Sequence, residues 1–183
     1  MTEFFDVLKE TGEYSNEVAS REECHKKGLW HKAAVVFILN KDNSKVLLQK
    51  RSATKRLWPN LWDVTAGGHV LTGELGYQAI IRETKEEIGI DIQKQDLEFI
   101  GATISENIKG DIINRHFNEY YVVHMDINEK ELKLQTEEVQ DIKWIDKDEV
   151  ISKIRNNYDG ITDKIGCWEY LIKYFELVSK SNI

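Results

Sequence analysis

Glu83, Glu86 and Glu87 crowd into five residues near the end of "GHVLTGELGYQAIIRETKEEIGI", residues 68–90, a stretch that reads as a helix. Like charges three or four positions apart on a helix repel by about 0.2–0.5 kcal/mol per pair. Carboxylates at a helix C-terminus also oppose the macrodipole, by roughly 0.3–1 kcal/mol each. A sequence shaped only for stability would place Lys or Arg there. One reading is a solvated acidic face. The other is a divalent cation held between the acids, which reverses the sign of their interaction. Oxygen donors with no cysteine nearby suit a hard ion, Mg²⁺ or Mn²⁺, and Mg²⁺ completes its shell with water and substrate phosphate. The crowding therefore points to a metal–phosphate site.

The elements around the acids follow from periodicity. Tyr77, Ile80, Ile81, Thr84 and Ile88 form one apolar stripe at helical spacing, with Glu83 and Glu87 on another face, and Gly89 suits the position that ends the helix. "EFFDVLKETGEYSNEV" reads as a hairpin turning at Thr11-Gly12, and "AAVVFILN" and "KVLLQKR" as a second hairpin. "LWPNLWDVTAGGHV" is a loop entering a short strand, where Gly67 and Gly68 permit close backbone approach. "EFIGATIS", "NRHFNEYYVVHMDI" and "EVQDIKWI" are strands; "DKDEVISKIR" and "CWEYLIKYFELVSK" are helices. Strands outnumber helices without regular alternation, which predicts an α+β mixed sheet with helices on its faces.

Gly68, Glu74 and "RETKEEIGI" together resemble the Nudix box, Gx5Ex7REUxEExGU, in which U is a bulky aliphatic residue. Gly68, Glu74, Arg82, Glu83, Glu86, Glu87, Gly89 and Ile90 fit the pattern, and Thr84 departs from it at the first U. Being β-branched and on the buried stripe, Thr84 is expected to be a tolerated packing change. The resemblance, to the MutT-like Nudix hydrolases, implies an α/β/α sandwich with the box as a loop–helix–loop. It implies hydrolysis of a diphosphate bond in a nucleoside diphosphate linked to another group, or in a similar organic diphosphate. It implies Glu83 and Glu87 as core metal ligands, Glu86 as a further ligand, and a carbonyl near Gly67 or Gly68 completing the shell. Arg82 would orient the carboxylates and Glu74 support the helix start. One carboxylate would serve as base, with Glu83, Glu87 and Glu119 as the candidates.

Residues 23–145 also resemble the branch related to isopentenyl-diphosphate isomerase. Those isomerases carry a catalytic cysteine where this chain has Gly67, and their box is degenerate whereas this one is intact; both departures favour a hydrolase. Glu119 in "FNEYYVV" matches their second catalytic glutamate, or is an exposed strand residue. They bind a second metal through histidines, and His25, His31 and His69 lie in similar places, with Phe117 where that site has an acid. Solvated or structural histidines are the alternative. Lys50 and Arg51 are candidates to meet phosphate oxygens, while Lys55 and Arg56 read as solvated loop residues. Trp58 and Trp62 could stack on a base or serve as core or lid.

The 183 residues suffice for one domain, expected over 1–183, with an N-terminal extension at 1–30, the Nudix core at 31–150 and a C-terminal helix at 166–180. A net charge of −7 disfavours a nucleic-acid binder but not a phosphorylated small molecule, since a local pocket can oppose the global sign. Cys24 and Cys167 form no metal or redox motif, and no signal peptide or membrane-spanning run is evident, so a cytoplasmic setting is expected. Oligomeric state stays open, a homodimer included. Three classes remain: a metal-dependent diphosphate hydrolase, an isoprenoid isomerase, and a Nudix-like binding domain without catalysis.

Overall fold

The computed structural model describes residues 2–181; Met1, Asn182 and Ile183, which the expected domain includes, lie outside the described residues. Among the described residues are nine strands and four α-helices, and seven of these strands form one mixed sheet. Its central strand, β3 (His31–Leu39), runs parallel to β8 (Ile112–His124). On its other edge β3 pairs with two strands in succession. Its first half meets β6 (Ala66–His69) and its last residues meet β4 (Lys45–Arg51), both antiparallel. β7 (Glu98–Lys109) extends the sheet beyond β8, while β9 (Val139–Asp146) and β5 (Trp62–Asp63) flank β4.

Strand alternation divides the sheet into two buried faces. Ala34, Val36, Ile38, Leu47 and Tyr121 pack against α2 (Gly76–Ile88), through Ala79, Ile80 and Ile88. Val35, Phe37, Leu48, Tyr120 and Val122 pack against α4 (Ile165–Ser181), through Trp168 and Leu171. α3 (Lys147–Arg155) joins this second layer through Val150. The expected α/β/α sandwich around a mixed sheet is what forms. A separate hairpin, β1 (Phe4–Leu8) and β2 (Tyr14–Ser20), lies over one end, as its sequence predicts. A seven-residue helix, α1 (Arg21–Lys27), follows it, capped by the Ser20 side chain and ended by Gly28 at φ 65°. Its periodicity is too short to be read from sequence, where the segment passes for a connection.

Helix α2 starts without a side-chain N-cap, because Leu75 has none to offer. The Gln78 side-chain carbonyl instead accepts the Leu75 N–H at 2.8 Å. Gly89, at φ 76°, ends the helix by donating its N–H to Lys85. Thr84 is fully buried, and its hydroxyl donates to the Ile80 carbonyl at 2.7 Å, which explains why a hydroxyl is tolerated at this apolar position. That carbonyl still receives its helical N–H if the hydroxyl is removed. Thr84→Val should therefore leave no orphaned group. Thermal melts should show stability unchanged or raised by up to about 1 kcal/mol; a loss larger than that would show the hydroxyl to be structurally required.

Candidate active site

Sheet register sets the floor of the site. Gly68, Ala34 and Glu119 are neighbours across β6, β3 and β8, forming one row on the α2 face. Glu83 lies directly over the bare end of that row. A Cβ on Gly68 would stand 2.2 Å from its Oε1, so only glycine lets the carboxylate rest against the loop backbone. Glu87, one turn on, is 6% exposed, and its Oε2 accepts from Gln49 Nε2 at 3.0 Å and from the Gly67 N–H at 3.3 Å. Burial, then the charge of Glu83, push the Glu87 carboxyl up to about 8. Burial also raises Glu83, against the opposing pull of Arg82. Two acids are thus held where both cannot ionise comfortably alone.

Arg82 holds the acids in place. Its guanidinium grips Glu74 with two bonds, Nε to Oε1 at 2.9 Å and Nη2 to Oε2 at 3.0 Å. Nη1 donates to Glu83 at 2.7 Å and, more weakly, to Glu86 at 3.4 Å. Nη2 also reaches the His69 carbonyl at 3.0 Å, tying the helix to the loop. Glu74 in turn accepts the Leu71 N–H at 3.0 Å. Arg82 and Glu74 thus join the helix, the loop and the Glu83 carboxylate in one hydrogen-bonded network. Glu86 is more than half exposed, so it sits at the rim of the carboxylate group.

The remaining candidates separate. Glu119 is on the right face but two strands from Gly68, roughly 10 Å at sheet spacing. Its Oε2 accepts from Tyr121 Oη at 2.6 Å and its Oε1 is 3.7 Å from Lys32 Nζ. A Cβ on Gly76 would meet that Oε2 at 1.9 Å, so the carboxylate abuts the start of α2. Beside it opens a cavity of about 290 Å³, lined by Lys32, Ala102, Thr103, Ile104, Phe117 and Asn118 together with Gly12 and Glu119. Arg51 is not brought to the acids: it is committed to Asp63 at 3.0 Å and to the Leu57 carbonyl at 3.1 Å, and Lys164 also grips Asp63. Lys50 stands on β4 beside Trp62 and Asp141, one residue from Gln49. Lys55 pairs with Glu138 and Arg56 with Asp111. Trp58 donates to Asp163, and Trp62 packs on the α4 core. Gln49 and Lys32, which the sequence reading did not single out, were detectable only through register.

Residues 29–165 match the NUDIX domain family. An uncharacterized Nudix hydrolase of Listeria innocua is 33% identical over 181 residues, 99% of this chain and 98% of that one. The chain belongs to the Nudix hydrolase family. Nudix hydrolase 3 of Arabidopsis thaliana is 34% identical over 151 residues, 80% of this chain, which spans only 20% of that longer protein. An isopentenyl-diphosphate Delta-isomerase 2 of Photorhabdus laumondii is 31% identical over 161 residues, 86% of each chain. A crystal structure from Deinococcus radiodurans superimposes with a TM-score of 0.66 at 19% identity, covering 84% of this chain and 90% of that one, and shares the fold. Among the described residues, no helix of this Nudix chain is long and apolar enough to cross a membrane.

The raised Glu87 pKa has a stability consequence. Its folded value, about 8, lies above the ordinary 4.5, so its contribution is full below about 4.5 and is lost as pH rises through 8. In chelator, wild type should lose stability relative to Glu87→Gln between about pH 5 and 8, as read from paired thermal melts. A constant difference between the two across that window would show that Glu87 titrates normally.

Proposed function

We propose that this Nudix hydrolase cleaves a diphosphate bond in a nucleoside diphosphate linked to another moiety, or in a similar organic diphosphate, with Mg²⁺ or Mn²⁺. The observation that carries the reading is the convergence of Glu83 and buried Glu87 on the Gly67–Gly68 backbone, with only oxygen donors present. Their crowding fits a hard divalent ion, because burial raises the pKa of both and each acid's charge opposes that of its neighbours. Glu83 and Glu87 are the core ligands in this proposal, with Glu86 at the rim and a backbone carbonyl near Gly68 as further donors. The bound ion would supply polarisation of the diphosphate and acidification of water.

The chain's own residues do the positioning. Arg82 fixes the Glu83 carboxylate, while Gln49 and the Gly67 amide fix that of Glu87. Glu119, free of Arg82 and on the same face, takes the proton from attacking water. Lys32, half-buried beside it, offers a cation to a phosphate oxygen. The adjoining cavity receives the organic part of the substrate against Ala102, Ile104 and Phe117.

The isomerase reading fares less well. Gly67 brings no thiol, and a Cβ there would meet the Ala34 carbonyl oxygen at 2.7 Å and Val35 Cα at 3.1 Å. The backbone is packed too closely on β3 for a cysteine at this place without a shift. The binding-domain reading leaves the retained carboxylates without a purpose.

Incubation with a panel of nucleotide sugars, dinucleotides, coenzymes and isoprenoid diphosphates, with Mg²⁺ or Mn²⁺, should release phosphorylated products from at least one class. Isopentenyl diphosphate should give no dimethylallyl diphosphate; its formation would promote the isomerase reading. On the substrate so found, Glu87→Gln and Glu119→Gln should each lower kcat by about 10²-fold or more, the scale of losing a metal ligand or a general base. Glu119→Gln should melt within about 1 °C of wild type at fixed pH. Normal turnover in Glu119→Gln would remove it from the chemistry, and normal turnover in Glu87→Gln would end the metal-site reading.

A further inference from the structure

Two rows of cross-strand neighbours lie side by side on the α2 face. Ala34, Glu119 and Ala102 form one, and Lys32, Phe117 and Ile104 form the next. Alternation along β8 groups Phe117 with Glu119 and turns His116 to the opposite face, where it meets His25, His31 and His69. Phe117 takes the place where the isomerase branch has an acid, so this chain has an apolar ring beside Glu119. Helix α2 covers the first row at Glu119, on which Gly76 rests. The second row is left to the N-terminal hairpin. Its turn residue Gly12, at φ 87°, sits against the Phe117 ring, and a Cβ there would stand 3.1 Å from Cε1. The cavity of about 290 Å³ has this turn, Glu119 and the Phe117 row among its walls.

The hairpin is fixed as a wall. The Gly73 N–H donates to Asp6 Oδ2 at 3.0 Å and the Thr72 N–H to the Phe4 carbonyl at 2.9 Å, which joins the hairpin to the loop entering α2. The Leu8 N–H donates to the Trp30 carbonyl at 2.8 Å. Phe5, Val7, Ala19 and Cys24 give the hairpin and α1 a small buried core, with Leu71 of the same loop packed against it. The Trp30 ring braces Phe117, with centroids 5.3 Å apart. Lys32 spans from the hairpin to the acid: its Nζ is 5.3 Å from the Tyr14 ring centroid and 3.7 Å from Glu119 Oε1. Ile104, on the cavity, is 60% exposed, a large apolar side chain that the core does not use. Such a surface beside a convergent acid and cation has the make-up of a ligand contact.

We propose that Phe117 and the hairpin turn at Gly12 determine specificity: the moiety carried by the diphosphate next to Glu119 is compact, about one ring in size, and lays an apolar face on Phe117 and Ile104. This rests on the hydrolase reading of the carboxylates. A volume of about 290 Å³ falls just below the ~300–1,000 Å³ of ordinary small-molecule pockets. One ring fills it, and a fused pair meets the Gly12 turn. Phe117 offers an aromatic face or edge to such a ring. Thr103 and Asn118 also border the cavity, but alternation turns their side chains to Tyr120 and Ser105. The floor therefore has no polar side chain to read the edge of a nucleobase, and the cavity takes the other moiety of the substrate.

Methyl, phenyl and 2-naphthyl diphosphate, each with Mg²⁺ and the full chain, are the probes. In wild type, kcat/KM should favour phenyl over methyl by about tenfold or more, and phenyl over 2-naphthyl by a similar factor, the scale on which an apolar pocket discriminates. Ala102→Leu fills the cavity from an exposed strand position and should lower the phenyl-to-methyl ratio by about tenfold. Phe117→Ala opens the space under the Gly12 turn and should raise the 2-naphthyl-to-phenyl ratio by about tenfold. Each ratio is taken within one protein, so a loss of folded enzyme cancels. If Phe117→Ala does not fold, Ala102→Leu still decides. Equal use of phenyl and methyl, or of phenyl and 2-naphthyl, by wild type overturns the proposal, as do ratios that the variants leave unmoved. Hydrolysis of other organic diphosphates but not of phenyl diphosphate overturns it while the hydrolase reading stands. Hydrolysis of none of them ends both.

Discussion

The close seating of two carboxylates on the backbone of Gly67 and Gly68 is the contact on which the rest of the site depends. Glu83 needs the missing Cβ of Gly68, and Glu87 needs the Gly67 amide and Gln49. Neither acid could be placed there by helix propensity, since burial and mutual repulsion oppose both. The opposition is overcome by a framework. β6 is pinned to β3 in antiparallel register, α2 is pinned to the sheet through Ile80, Thr84 and Ile88, and Arg82 links the two. The Arg82 fork on Glu74 is a local ion pair only partly exposed, so it keeps more strength than a surface pair. Its value is geometric: it stops Glu83 from swinging out to water, where its repulsion with Glu87 would be relieved and the site lost.

β6 is also where the two faces of the sheet communicate. Over four residues it sends the Gly67 amide to Glu87, yields the bare surface under Glu83, and turns the His69 ring to the opposite side. A strand has no freedom to change one of these without the others, because a one-residue slip exchanges the faces. Fixing the His69 ring therefore fixes the carbonyl that Arg82 grips and, through it, the carboxylate geometry. The link is short and runs through named contacts, so it requires no long-range pathway.

The box, its acids and the main strands were legible because their signals are local. Fixed spacings identify Gly68, Glu74 and the RETKEEIG run, and a short apolar run with β-branched residues marks β3. What escaped was set by pairing between distant segments. Arg51 looks like a phosphate binder beside Lys50, but Asp63 and Lys164, the latter over a hundred residues away, claim that corner of the core. Burial alone would raise Asp63, yet the two cations outweigh it and keep the carboxyl below its ordinary range. Gln49 carries no charge and belongs to no motif, so only the β4–α2 contact reveals that it braces Glu87. The same limit hid α1 and with it the placement of His25, since seven residues with one buried side chain leave no periodic trace.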